Sequence, residues 1–174
     1  MRRTYYAVAV LATLAACLAP AHAENPIARD FSSYALPAMA LTLGASGLSP
    51  NGKNHKALLN GVEAVAATSL LTEVLKSTVR EPRPNGSNRA SFPSGHTSAA
   101  FAMATVLADE QPKLKWFWYL LAAGVGWSRV DLRAHHTHDV IAGAVLGTFV
   151  ARQIINRNGS GAPGLGVALF QKTW

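Results

Sequence analysis

Residues 57–79 read ALLNGVEAVAATSLLTEVLKSTV, with Pro82 and Pro84 close behind. Leu58, Leu59, Val62, Val65, Leu70, Leu71, Val74 and Leu75 recur at helical spacing, so the stretch is a long helix, and the two prolines stop it. Four more apolar segments flank it. One runs over about 31–48 and is closed by Ser49-Pro50-Asn51-Gly52. The others run over about 94–108, 114–129 and 138–155, with Pro112 between the first two of these. No useful length of apolar/polar alternation accompanies them. The expected fold is therefore all-α, a bundle of about five core helices.

Composition favours lipid over water as the surrounding medium. The chain has 174 residues, one domain's worth. Hydrophobic residues make up 49% and charged residues 14%, against a usual charged share of about 25%. Abundant Ala and Gly suit close helix packing in a bilayer. If the start lies outside, Lys53, Lys56, Lys113, Lys115 and Arg157 all fall on the inner side, as the positive-inside tendency requires. The expectation is a membrane-embedded bundle, with a soluble periplasmic bundle as the alternative. The run Trp116-Phe117-Trp118-Tyr119 reads as an interfacial aromatic belt. The net charge of +7 comes with no basic run interleaved with aromatics, which excludes a nucleic-acid partner.

The first 23 residues read as a signal peptide: Arg2-Arg3, an apolar run to about Leu18, and Ala21-His22-Ala23 as a cleavage site. Cys17, in Leu14-Ala15-Ala16-Cys17, offers lipidation as the alternative. It is the sole cysteine, so no intrachain disulfide can form. Residues 24–156 then form the domain and 157–174 a loose tail.

Three short blocks carry the chemistry: Lys76 with Arg83-Pro84, then Pro93-Ser94-Gly95-His96, then Ser128-Arg129 followed by His135 and Asp139. Singly, each has a structural explanation as a helix-end cation, a turn or a histidine-bearing loop. Together they supply an anion pocket. Ser94 and Gly95 stand where a helix begins, so backbone N–H groups can face phosphate oxygens. Lys76, Arg83 and Arg129 bring cations from separate segments to hold charge on a transferring phosphoryl group. Asp139 follows His135 by one helical turn, so its carboxylate can accept the Nδ1 proton and leave Nε2 free to attack phosphorus. His96 is then the acid that protonates the leaving oxygen, and later the base for water.

These blocks resemble the signature of the type 2 phosphatidic acid phosphatase (PAP2) family, whose superfamily also holds bacterial acid phosphatases and vanadium haloperoxidases. The spacings agree: six residues between Lys76 and Arg83, five between Arg129 and His135, three between His135 and Asp139. The resemblance implies metal-independent hydrolysis of a phosphomonoester or pyrophosphate, with His135 as nucleophile and no cofactor. It also implies phosphate contacts from Lys76, Arg83, Ser94, Gly95, His96 and Arg129. The expected substrate is a phosphorylated lipid of the bacterial envelope, met at an inner-membrane site facing the periplasm. A soluble periplasmic acid phosphatase, a vanadate-dependent haloperoxidase and a non-catalytic membrane protein are the competing readings. His136 and His138 read as histidines at the substrate mouth or in a surface loop. A metal centre built from His135, His136 and His138 is disfavoured, because His135 has a better role.

Overall fold

The structure, a computed structural model, describes residues 25–47 and 55–159. The expected signal peptide, Cys17 and most of the expected tail lie outside the described residues. Helix α1 spans Pro26–Gly47, α2 His55–Val79, α3 Gly95–Glu110, α4 Lys115–Asp131 and α5 Thr137–Gly159, with a 3-10 turn at Pro112–Leu114. All-helical architecture with five helices is thus what the described residues adopt.

Helix α1 begins ahead of Phe31, where the apolar run starts. Pro26 sits at its first position, where a missing N–H costs nothing, and the Asn25 side chain accepts the Ile27 N–H at 3.1 Å. At the far end of the chain, α5 outlasts its apolar run. Arg157 pairs with Glu63, and Asn158 Nδ2 donates to Asn60 Oδ1 at 2.7 Å. Residues 157–159, expected in the tail, are therefore the last turn of α5, docked on α2.

Helix α3 lies at the centre and packs against every other helix. Its burial is nearly all-round, with Ala100, Ala102, Ala104, Val106 and Leu107 sealed from solvent. The tightest neighbour is α5. There a stripe at every fourth position, Asp139, Gly143, Gly147 and Ala151, faces inward. A Cβ at Gly147 would lie 2.1 Å from the Ser98 carbonyl oxygen, and one at Gly143 2.7 Å from that of Ser94. The two glycines let the backbones touch, a packing mode suited to lipid.

Helix α2 is inverted relative to a soluble core helix. Asn60, Ala64, Thr68, Thr72 and Lys76 form its buried stripe. Its large apolar residues point outward: Val62 is 62% exposed and Leu70 67%. Helix α5 repeats this with Ile141, Val145 and Phe149, all exposed on one face. Both α2 and α5 are long and apolar enough to cross a membrane. The aromatic run of α4 splits between faces. Trp116 is exposed, whereas Trp118 is buried against Phe117 and Tyr119 reaches Thr105 in the interior at 3.2 Å. Belt placement therefore describes Trp116 and not Trp118.

Candidate active site

One end of the bundle gathers the C-termini of α2 and α4, the N-termini of α3 and α5, and the loop 80–94. That loop is pinned by its own backbone. The Ser91 N–H donates to the Glu81 carbonyl at 3.0 Å, and the Arg83 N–H to that of Asn88 at 3.0 Å. The Asn85 N–H reaches across to the Arg133 carbonyl at 3.1 Å. This holds Arg83 over the link that follows α4. Lys76, in the last turn of α2, is buried and donates from Nζ to the Ala90 carbonyl at 2.8 Å.

Helix α3 starts at Gly95, directly below this loop. The Ser94 N–H donates to the Asp139 carbonyl at 3.0 Å, joining the starts of α3 and α5. Ser94 does not cap α3 with its side chain; its Oγ lies 2.9 Å from Thr97 Oγ1 and is fully buried. The first-turn N–H groups of α3 therefore lack a side-chain acceptor, the condition that suits an anion. The hydroxyl of Ser94, expected to aim at phosphate, is engaged with Thr97 instead. A Cβ at Gly95 would make only ordinary contacts, 3.6 Å to Thr72 and 3.9 Å to Lys76. No protein neighbour demands glycine there.

The α4–α5 link explains how His135 is aimed. The Arg129 carbonyl accepts the N–H groups of both Ala134 and His135, at 3.0 and 3.1 Å. The five intervening residues thus curl back and set the imidazole above the end of α4. His135 is only 2% exposed. Its Nδ1 faces Asp139 Oδ2 at 3.5 Å, beyond hydrogen-bond range, and has no partner. Asp139 Oδ2 instead accepts the Ser91 hydroxyl at 2.5 Å and the His136 N–H at 2.8 Å. The expected Nδ1–carboxylate bond is therefore unformed here; an approach of about half an ångström would close it, as such contacts tighten when a ligand binds.

Burial and the cations Arg83, Lys76 and Arg129 push the His135 pKa down to about 4, against the opposing pull of Asp139. At neutral pH the ring is thus uncharged, and its Nε2 lies on the side away from Asp139, where a proton held on Nδ1 would leave it a lone pair. The same three cations face His96. All eight residues singled out from sequence meet at this end of the bundle.

Two contributors carried no sequence signal. Ser32, on α1 and far from every block, accepts a hydrogen bond from Arg129 Nη1 at 2.6 Å and so fixes the guanidinium. Ser91 orients Asp139. Beside the pocket, Glu81, His136 and His138 form a separate group next to Asp139.

The PAP2 superfamily model matches residues 57–158, which contain all three blocks. The chain belongs to the PAP2 superfamily, and is a phosphoric ester hydrolase. Two BcrC proteins are similar: the bacitracin transport permease protein BcrC of Bacillus licheniformis, 29% identical over 73% of this chain and 68% of its own length, and the undecaprenyl-diphosphatase BcrC of Bacillus subtilis, 28% identical over 68% and 67%. Lipid A 1-phosphatase of Porphyromonas gingivalis is 32% identical over 70% of this chain, which spans only 28% of that longer protein. The crystal structure of Aquifex aeolicus LpxE superposes with a TM-score of 0.60 at 26% identity, covering 75% of this chain and 81% of that one.

Proposed function

We propose that the chain is a metal-independent lipid phosphatase of the bacterial envelope, working through a phosphohistidine on His135. The observation that carries this reading is a buried, uncharged imidazole ringed by Lys76, Arg83 and Arg129 above an uncapped helix start. The cations and the first-turn N–H groups of α3 bind the three non-bridging phosphate oxygens. They stabilise the charge those oxygens carry in the transition state. Burial and the cations lower the His96 pKa, and the negative phosphate offsets those cations so that His96 holds a proton. His135 Nε2 attacks phosphorus, and the bond to the leaving oxygen breaks as His96 gives that oxygen this proton. Asp139 accepts the hydrogen bond of Nδ1–H and steadies the positive ring. Water then attacks the phosphohistidine with His96 taking its proton, and inorganic phosphate leaves.

The lipid character rests on the outward apolar faces of α2 and α5, which would be exposed to water in a soluble enzyme. A bundle bedded in the bilayer, with its site at the periplasmic end, lets a headgroup enter while the tail stays in lipid. Among the relatives, the names undecaprenyl-diphosphatase and lipid A 1-phosphatase favour a diphosphate or a phosphate on a large membrane lipid. The test is phosphate release in the presence of a chelator from detergent-dispersed undecaprenyl diphosphate, phosphatidate and a soluble aryl phosphate. The lipids should exceed the aryl ester in kcat/KM by about tenfold or more, the discrimination expected of ~1.4 kcal/mol of added contact. Turnover that stops in the chelator, or a preference for the soluble ester, would defeat the reading.

A further inference from the structure

Beside the phosphate pocket, four ligand atoms from Glu81, His136, His138 and Asp139 lie within 4.8 Å of one another. We propose that this cluster is a binding site for Zn2+ or a similar borderline divalent cation, and that its occupation switches the phosphatase off. The second half rests on the phosphatase reading above; the first does not.

Several contacts are near the edge length of a tetrahedral site, although they reach both oxygens of Asp139 and the cluster spans up to 4.8 Å, so the side chains would draw in around an ion. Bonds of about 2.0–2.1 Å place neighbouring ligand atoms about 3.3 Å apart. His136 Nδ1 lies 3.4 Å from Glu81 Oε1 and 3.3 Å from Asp139 Oδ2, and His138 Nε2 lies 3.2 Å from Asp139 Oδ1. The remaining short edge, His138 Nε2 to Glu81 Oε1, is 2.8 Å, a hydrogen bond that an ion would replace. The two imidazoles stack nearly parallel with centroids 5.1 Å apart, so one ring would turn about its side-chain bonds to bring both nitrogens onto one ion. A buried acceptor independently marks the site. Asp139 is fully buried, and its Oδ1 has no hydrogen-bond partner.

The chemistry of the donors selects the ion. Two neutral imidazoles and two carboxylates balance a divalent charge, and the mixture of nitrogen and oxygen favours Zn2+ over Mg2+ or Ca2+. His138 is exposed, so the site opens to solvent and can be filled and emptied. Binding at Oδ1 would draw negative charge out of the Asp139 carboxylate, whose Oδ2 faces His135, and so weaken the group placed to steady that ring. The same ion would also add positive charge at the mouth where the leaving group departs. The role is therefore inhibitory and lies outside the hydrolytic step.

The experiment uses the untagged full chain in detergent, titrated with Co2+ and with Zn2+. Co2+ should develop the visible absorption of a tetrahedral site at about one equivalent, and Zn2+ should bleach it. Glu81→Gln and His138→Ala should each weaken binding by tenfold or more, and together should abolish the absorption, with thermal melts unchanged. His55→Ala, at an exposed position at the start of α2, serves as the control. Phosphate release should fall tenfold or more in saturating Zn2+ and return with chelator. The double variant should keep wild-type turnover in chelator and ignore Zn2+. Absence of tetrahedral Co2+ absorption, or its persistence in the double variant, would overturn the site whatever the phosphatase assay shows. A Zn2+-loaded protein with full turnover would overturn the switch.

Discussion

His135→Ala should lower kcat by about 10⁴-fold or more, about 5.5 kcal/mol of lost transition-state stabilisation, with phosphate still bound. The asymmetry follows from the division of labour. Lys76, Arg83 and Arg129 come from α2, the loop and α4, and each has its own anchor: Ala90 for Lys76, the Asn88 and Arg133 carbonyls for the Arg83 loop, and Ser32 for Arg129. Removing the imidazole leaves those anchors in place. Inorganic phosphate should therefore inhibit the variant within about threefold of its effect on the parent, while turnover disappears. Steady-state release and product inhibition on the same preparation check both halves. Turnover within tenfold of the parent would mean that another group attacks phosphorus.

Gly147→Ala should damage the fold itself. A methyl group at that position would sit 2.1 Å from the Ser98 carbonyl oxygen and 2.9 Å from the Ala102 nitrogen, both backbone atoms of α3 that cannot swing aside. Helices α3 and α5 would have to separate, at a cost of about 3 kcal/mol or more. The site would suffer with them, since the Ser94–Asp139 backbone bond joins the same two helices. Gly44→Ala is the matched control: nothing lies within 4 Å of a Cβ there, and alanine is the better helix former. Thermal melts in detergent should show a large loss for Gly147→Ala and none for Gly44→Ala. Equal melts for both would mean that the close approach of α3 and α5 is not needed.

What was legible in the sequence follows from which signals are local. Apolar runs bounded by proline located the helices, because a helix is written in consecutive residues. The ends were less clear, because caps and docking decide them. Asn25 and Pro26 start α1 early, and Asn60 and Glu63 hold the last turn of α5. The blocks identified the groups that meet, since their spacing reflects the length of the link that folds His135 back onto Arg129. Ser32 could not be foreseen, because its contact depends on how α1 leans on α4, a tertiary fact with no local pattern. The inverted face of α2 was signalled by composition, which pointed to lipid, and not by periodicity. Leucine and valine at helical spacing say that a helix forms, not which medium its apolar side meets. Asp139 shows the remaining gap: one helical turn brought it beside His135, but Ser91, from another segment, decides which way its carboxylate turns.

The most direct test is a crystal structure of the full chain grown with vanadate, which adopts the five-coordinate geometry of a phosphoryl group in flight. Vanadium should lie within bonding distance of His135 Nε2, with its equatorial oxygens on Lys76, Arg83, Arg129 and the first N–H groups of α3, and His96 beside the apical oxygen opposite the ring. Vanadate held by any other side chain, or His135 turned away from it, would contradict the mechanism.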